Sequence, residues 1–204
     1  MPDLVDREVA LNALSPYLRP IRASMLTAWQ RWENLPPETR VDLGSGSRAT
    51  IVHDLTVAEA AKQVSGVSIH NFDKLKVFLI GPCALRFKKL DERKRSCNQR
   101  TNQVDNFRNQ RELPGIQSIC NVEAGYVLDR LGMNVSGFHL VCPNGSGKPY
   151  WDFELHEAQV TAIITDLFDH SGREDADSPP AIYHKKSAGI ILPFSRREKN
   201  DQDP

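Results

Sequence analysis

Three apolar runs in the second half of the chain constrain its fold more than any other feature. They occupy positions 125–128, 138–142 and 150–155. In the last run Trp151, Phe153 and Leu155 alternate with acids, which is the period-two pattern of a half-buried strand. The Asn-Gly-Ser-Gly sequence at 144–147 is typical of a hairpin loop between the final two runs. Because short connections join antiparallel neighbours, the sequence predicts an antiparallel sheet.

A helical segment precedes these strands. Its apolar residues recur at helical spacing and form one stripe, made of Ile21, Met25, Ala28, Trp29 and Trp32. Pro36 and Pro37 end the helix, because proline lacks the backbone donor that a helix interior requires. The following Gly-Ser-Gly-Ser run at 44–47 predicts a flexible loop. The spacing of Thr56 and Glu59 predicts a capping box at the start of another helix.

The remaining patterns predict a mixed α+β core. Residues 77–80 and 84–90 are typical of strands, the second with a basic face, and residues 190–192 of an edge strand. Residues 98–111 and 157–168 predict two amphipathic helices. We therefore expect an α+β fold with an antiparallel sheet packed by helices. Its parts are a helical N-terminal segment (1–43), an α+β core domain (50–194) and a disordered charged tail (195–204).

Composition excludes several classes of protein. Apolar residues make up 40% of the 204 residues and charged residues 25%, which is too apolar for a disordered chain and too charged for a membrane span. Gly81 and Pro82 interrupt the longest apolar run, and the N-terminus carries acids where a signal peptide requires bases. We expect a cytoplasmic protein that does not associate with a membrane.

The cysteines and histidines give no sign of a metal or cofactor. The four cysteines, at positions 83, 97, 120 and 142, lack the paired spacing of a zinc site. Cys83 and Cys142 lie in apolar strand patterns, so we expect both to be small buried side chains. The six histidines are scattered along the chain.

Basic residues are concentrated in one segment of an otherwise neutral chain. Lys+Arg and Asp+Glu balance at 26 each, yet positions 86–111 contain nine bases and three acids. Arginine neutralises phosphate, and Asn, Gln and Arg can hydrogen-bond base edges or bridge a polar protein interface. A solvated polar surface is the simplest alternative. We predict a contact surface for nucleic acid or a partner protein, formed by Arg86, Lys88, Lys89, Arg93, Lys94, Arg95, Asn98, Arg100, Gln103, Arg108 and Arg111.

Residues 55–75 resemble a DNA-binding helix-turn-helix. The segment combines an alanine-rich helix, a turn at Gly66 and a second helix that begins with Val67-Ser68. This is the arrangement of that motif. The glycine lies one position later than the motif requires. The candidate reading helix, which carries His70, Asn71, Asp73 and Lys74, is not strongly basic. The motif is therefore a hypothesis beside the basic segment.

Two further patterns concern phosphate and metal chemistry. Residues 144–148 end like a phosphate-binding loop, but Cys142 and Pro149 stand where that motif requires glycine and a hydroxyl, so we interpret the run as a hairpin. Acids and a lysine at neighbouring strand ends are typical of metal-dependent nucleases. Asp152, Glu154 or Glu92 with Lys94, and Asp73 upstream, would fit that description. No complete catalytic motif accompanies them, so a metal-dependent nuclease is the alternative hypothesis.

The centre of the chain resembles a segment of uncharacterised bacterial proteins associated with toxin–antitoxin or phage-defence gene pairs, some beside a metallopeptidase-like partner. The matching residues are Leu-Arg-Phe-Lys-Lys-Leu-Asp at 85–91, then Asn98, Thr101, Gln103, Phe107, Gln110 and Leu-Pro-Gly-Ile at 113–116. The resemblance implies a small regulatory protein that neutralises a partner, such as a cognate toxin, and can also bind DNA. It identifies no catalytic residue.

From the sequence we therefore expect a non-catalytic, antitoxin-like binding module. Its partner is a protein, DNA, or both in turn. The sequence does not decide whether the chain forms a homodimer. We expect the Trp29 and Trp32 stripe to be mostly core, since exposed tryptophans would form an interface anchor.

Overall fold

The computed structural model describes residues 7–72, 75–96, 101–115 and 120–157. All of them lie in one compact unit, Met1–Gly172. The first helices are α1 (Arg7–Leu14), α2 (Leu18–Glu33), α3 (Pro37–Asp42) and α4 (Ser45–Gln63). Next come the strands β1 (Ser68–Phe72), β2 (Leu75–Ile80) and β3 (Cys83–Leu90), then α5 (Asn102–Arg108). The last described strands are β4 (Cys120–Leu128), β5 (Val135–Cys142) and β6 (Trp151–Glu154).

The six strands form one sheet in chain order from β1 to β6. Four neighbouring pairs are antiparallel, which confirms the predicted α+β fold with a mostly antiparallel sheet. The exception is β3 and β4, which run parallel with Arg86 beside Glu123. Parallel strands need a long crossover, and α5 lies in that connection. The sheet therefore consists of two antiparallel three-stranded meanders joined at one parallel pair, which the sequence patterns did not predict.

Helices α2 and α4 supply the helical side of the main core. Their apolar side chains form one cluster with those from one face of the strands, including Leu85 and Phe87 of β3. Trp29 and Trp32 are 4% and 5% exposed, and the Trp29 ring lies 5.7 Å from that of Tyr126. The tryptophan stripe is thus core, as predicted, and the N-terminal helices share this core with the sheet.

The predicted flexible loop at 44–47 is wrong. Gly44 is the extended N-cap of α4, and the three residues after it form the first turn of that helix. The predicted capping box is wrong as well, because Thr56 lies inside α4 and its hydroxyl donates to the carbonyl oxygen of Val52 at 2.7 Å. Val52 and Ala60 are fully buried. Tertiary burial of this kind stabilises a helix more than a local glycine disfavours it.

The helix-turn-helix hypothesis is also wrong. Gly66 turns the chain with a φ of 74°, but the residues that follow form strand β1 instead of a second helix. In the register of β1 with β2, Ile69 pairs with Phe78 and His70 with Val77. Pairing with a neighbouring strand decided the conformation of this short segment, as is common where helix and strand preferences are similar. Asp73 and Lys74 lie outside the described residues.

The opposite face of the sheet carries α5. Phe107 is fully buried there and packs with Val77, Ala84 and Leu113. The helix is shorter than predicted: the Thr101 hydroxyl accepts a hydrogen bond from the backbone nitrogen of Val104 at 3.2 Å, which caps the first turn. Residues 98–100 lie outside the described residues.

The predicted strands at 77–80, 84–90, 125–128, 138–142 and 150–155 are confirmed as β2 to β6, and β4 already begins at Cys120. The hairpin between β5 and β6 is confirmed by their antiparallel pairing. The predicted helix at 157–168 beyond Glu157, the edge strand at 190–192 and the tail at 195–204 lie outside the described residues.

Candidate functional site

Arg86, the first residue of the predicted contact surface, is buried at 1% exposure. Its Nε donates to Oε1 of Glu123 at 3.0 Å, its Nη2 donates to the same oxygen, and its guanidinium lies 4.2 Å from the ring centroid of Phe107. The Ser96 hydroxyl also donates to Glu123 Oε1, at 3.0 Å. The prediction that Arg86 lies on a solvated basic face is therefore wrong, because α5 covers this part of β3.

The two lysines that follow on β3 are half-buried. Burial, together with the positive charge of Arg86, lowers the pKa of Lys88 to about 8, and Glu123 acts in the opposite direction. The protonated fraction of Lys88 near neutral pH is therefore smaller than that of an ordinary surface lysine.

Three bases lie in a tight turn after β3. The Asp91 carboxylate accepts hydrogen bonds from the backbone nitrogen of Arg95 at 2.8 Å and from its guanidinium at 2.9 and 3.0 Å. Lys94 adopts a left-handed φ of 61°, and its Nζ lies 2.9 Å from Nε2 of His139 on β5. These contacts fix the directions of the Lys94 and Arg95 side chains, whereas the Arg93 side chain is exposed.

The hairpin between β5 and β6 is anchored at the end of α5. The backbone nitrogen of Gly145 donates to the carbonyl oxygen of Arg108 at 2.8 Å. The Gln110 side chain donates to the carbonyl oxygens of Asn121 and Pro143 at 2.9 and 3.0 Å. Gly145 has a φ of 51°, and a Cβ at this position would lie 2.6 Å from Oδ1 of Asn109. A side chain at this position would strain the left-handed backbone and displace the Asn109 amide, so glycine favours this close approach.

A cleft of about 460 Å³ lies between the turn and the hairpin. It is lined by Arg93, Arg95, Ser146, Gly147 and Lys148. Every ionisable side chain in this lining is basic. Arg93 and Lys148 are exposed, and neither forms an ion pair within the described residues. The cleft therefore offers charged donors and a hydroxyl, which together suit the oxygens of a phosphate.

A narrower pocket adjoins this cleft and contains the other bases of the region. Lys94, Arg95, Arg108 and Glu123 line it together with residues of the hairpin. The Nε of Arg108 is buried and has no hydrogen-bond partner in the described part of the chain. Lys94 and Arg108 thus add two bases beside the cleft, and the one carboxylate of this pocket, Glu123, is already bonded to Arg86.

The structure brings four of the eleven predicted contact residues together around the hairpin: Arg93, Lys94, Arg95 and Arg108. Arg86 is inside, and Lys88 and Lys89 are half-buried on β3. Gln103 is half-buried on α5, and exposed Arg111 donates to Asn106 at 3.3 Å; neither lines the cleft. Asn98 and Arg100 lie outside the described residues.

Sequence reasoning missed Lys148, Glu123 and His139. Lys148 was assigned to a hairpin loop without a function, although a lysine in a glycine-rich loop was the available signal. Glu123 is the one acid of β4 and His139 the one histidine of β5, and both are buried, at 0% and 3% exposure. A polar residue in such a position requires a partner, which is the signal that marks them.

Those acids of the nuclease alternative that the structure describes lie on two separate elements. Glu92 is exposed in the turn after β3, whereas Asp152 and Glu154 are on β6, where Glu154 pairs with His139 across the strands. Burial, followed by the charge of Lys94, lowers the pKa of His139, while Glu154 and Asp152 raise it and His156 lowers it. Within the described ranges, no group of three or more His, Cys, Asp or Glu side chains is placed to hold a metal ion.

The described cysteines lie in the core. Cys83, Cys120 and Cys142 are buried free thiols, as predicted for Cys83 and Cys142. The sulfur atoms of Cys120 and Cys142 are 3.8 Å apart. Cys97 lies outside the described residues. None of the helices in the described ranges is both long enough and apolar enough to span a membrane.

No family model, curated protein or solved structure matches this chain.

Proposed function

We propose that the chain is a non-catalytic, antitoxin-like regulatory module whose basic cleft binds the phosphate backbone of DNA. The observation that carries this proposal is the lining of the cleft, where three bases and no acid converge from two different loops. Neutralisation of a partner protein, which the resemblance of the central segment implies, is the second part of the proposal and requires a different surface.

The spacing of the donors supports a polyanion as the ligand. Arg93 and Lys148 are exposed on opposite sides of the cleft, and neither is engaged in an ion pair within the described residues. Arg95 is oriented by Asp91, which reduces its net charge but fixes its guanidinium. Binding by such bases releases counterions from DNA and therefore weakens as salt increases. These groups contact phosphate without reading base edges, so they supply affinity more than sequence specificity.

The experiment is fluorescence polarisation of a labelled DNA duplex at several salt concentrations. Arg93→Ala/Lys148→Ala should weaken binding and reduce the slope of log affinity against log salt by about two, because each lost phosphate contact removes about one. Lys76→Ala/Arg130→Ala is the matched control, since both are exposed bases that form no ion pair within the described residues and do not line the cleft. An unchanged slope in the double variant would contradict the proposal.

The nuclease alternative makes a different prediction for the same protein. Divalent-metal-dependent nicking of plasmid DNA that survives purification and is lost in Asp152→Ala would replace the binding proposal with metal-assisted hydrolysis. Absence of nicking, together with salt-dependent binding, supports the non-catalytic module.

A further inference from the structure

Exposed apolar side chains from α3 and from the loop between β4 and β5 lie at or beside a groove that shares no lining residue with the cleft. Val41 on α3 is 84% exposed, and Leu131 and Met133 in the loop between β4 and β5 are 85% and 65% exposed. Val41 and Met133 line one groove of about 320 Å³, and its other lining residues are Trp32, Pro37, Arg40 and Arg48. Apolar side chains concentrated in this way are typical of an interaction site.

The loop that carries Leu131 and Met133 is held in one conformation by hydrogen bonds. The Asp129 carboxylate accepts from the backbone nitrogens of Met133 and Asn134 at 2.8 and 3.2 Å. Nη1 of Arg48 on α4 donates to the carbonyl oxygen of Gly132 at 2.6 Å. The apolar side chains are thus presented on an ordered backbone, which reduces the entropy lost when a partner binds.

The charge of the groove indicates the chemistry of its occupant. Both ionisable residues in the lining, Arg40 and Arg48, are arginines, and no acid lines the groove. The Nε of Arg40 is buried and has no hydrogen-bond partner within the described residues. Two guanidinium groups and no acid in the lining of an apolar groove favour a carboxylate on the partner, which can accept a charge-assisted hydrogen bond from Arg40.

We propose that this groove docks a segment of a partner protein in which an acidic residue lies next to aliphatic or aromatic ones. The apolar side chain packs between Val41 and Met133, and the carboxylate bonds to Arg40. This site deepens the proposed function by giving the surface and the chemistry of the protein partner, and it rests on that function only in treating the chain as a regulatory module. The groove shares no lining residue with the basic cleft.

The test is selection of a random-peptide phage library on the immobilised full-length chain, with counter-selection on Val41→Asp/Met133→Asp. We expect a consensus with one acid flanked by apolar residues. A fluorescein-labelled consensus peptide should lose affinity by about tenfold or more in Met133→Asp and in Arg40→Gln. Val9→Asp is the matched control, because Val9 is an exposed apolar residue on α1 outside the groove, and this variant should bind like the wild type.

Three results would overturn the proposal. The first is the absence of any peptide that the counter-selection removes, and the second is a consensus without an acid. The third is a dimer in sedimentation velocity that Met133→Asp abolishes, which would assign the groove to a second copy of the chain. Thermal unfolding checks that each variant folds, and Met133→Ser replaces Met133→Asp where it does not.

The DNA experiment separates failure of the groove from failure of the cleft. Val41→Asp/Met133→Asp should retain DNA binding, and Arg93→Ala/Lys148→Ala should retain peptide binding. Loss of both ligands in either double variant would contradict the independence of the two sites.

Discussion

Arg86 and Glu123 place opposite charges in the interior, between β3, β4 and α5. Both side chains are 1% exposed. Arg86 Nη1 and Glu123 Oε2 have no hydrogen-bond partner within the described residues. Removing two charges from water is costly, and their mutual attraction offsets that cost only while both are present. Removal of either side chain alone therefore destabilises the local structure, because it leaves the other charge buried and unpaired.

We predict that Glu123→Ala lowers the free energy of unfolding by about 3–5 kcal/mol, because it leaves the Arg86 guanidinium buried without a counter-charge. Arg86→Met/Glu123→Leu should recover most of that loss, since it removes both charges and keeps similar volume. Urea unfolding of the two variants and the wild type measures the effect. A single variant as stable as the wild type would show that the pair is solvated.

The burial of Arg86 could not be predicted from strand alternation. In the segment 84–90, Arg86 alternates with apolar residues as a solvent-facing base would, and the covering residue Phe107 comes from a helix 21 positions later. The better signal was Glu123, a single acid among apolar residues of a strand. Its burial requires a basic partner, but the sequence does not state which of many bases that is.

Helix α4 provides a direct comparison of two glycines at the scale of an element. Gly46 lies in the first turn of the helix without a left-handed φ, whereas Gly66 follows the helix with a φ of 74°. A Cβ added at either position would meet nothing within 4 Å. Any difference between alanine substitutions at these sites therefore reports the backbone conformation alone.

We predict that Gly46→Ala raises the free energy of unfolding by up to about 1 kcal/mol, because alanine loses less conformational freedom in a helix. Gly66→Ala should lower it by about 1–2 kcal/mol, because a left-handed conformation strains an L-residue with a Cβ. Thermal or urea unfolding of the two variants measures both effects. Equal shifts in the same direction would contradict the assigned conformations.

Strands were easier to predict than the boundaries of α4 and β1. Periodic apolar residues identified β2 to β6, because alternation is a local property that burial on one face imposes. The start of α4 and the strand β1 depend on contacts between distant parts of the chain, with the core through Val52 and with β2 through Ile69. The parallel pairing of β3 and β4 is of the same kind, since no local pattern distinguishes it from an antiparallel pair.

At the scale of the whole molecule, the balance of 26 bases and 26 acids means that no net charge drives a change of stability near neutral pH. Individual titratable groups determine the change of stability with pH instead. Burial lowers the pKa of His53 against the opposing effect of Asp54, with Lys88 and Lys76 lowering it further. His139 is shifted in the same direction by burial and Lys94.

We predict that stability falls as the pH decreases from about 7.5 to about 5.5. Since both histidines have a pKa below the unfolded value of about 6.5, the unfolded chain binds more protons in this window, and folding is most stable above it. Urea unfolding at the two pH values measures the change, which should be smaller in His53→Gln/His139→Gln. Asp91 and Asp129 have lowered pKa values, so their contributions are lost only at more acidic pH. An undiminished change in the double variant would contradict the assignment.

The cleft could not be predicted from the sequence as a unit. Arg93 and Arg95 lie about 50 positions before Lys148 in the sequence. Each of these two segments alone has an ordinary interpretation, the first as a solvated turn and the second as a hairpin loop. Only the folded arrangement, in which Gly145 and Gln110 fasten the hairpin to the end of α5, brings them together.

The parallel pairing of β3 and β4 joins the two three-stranded halves of the sheet. Arg93 and Arg95 belong to the connection that leaves the first half, and Lys148 belongs to the second. A polyanion bound by all three bases would link the two halves. Occupancy would therefore resist separation of the halves, and the melting temperature would rise with ligand concentration. The size of that rise at a known ligand concentration would report the affinity of the cleft for its ligand.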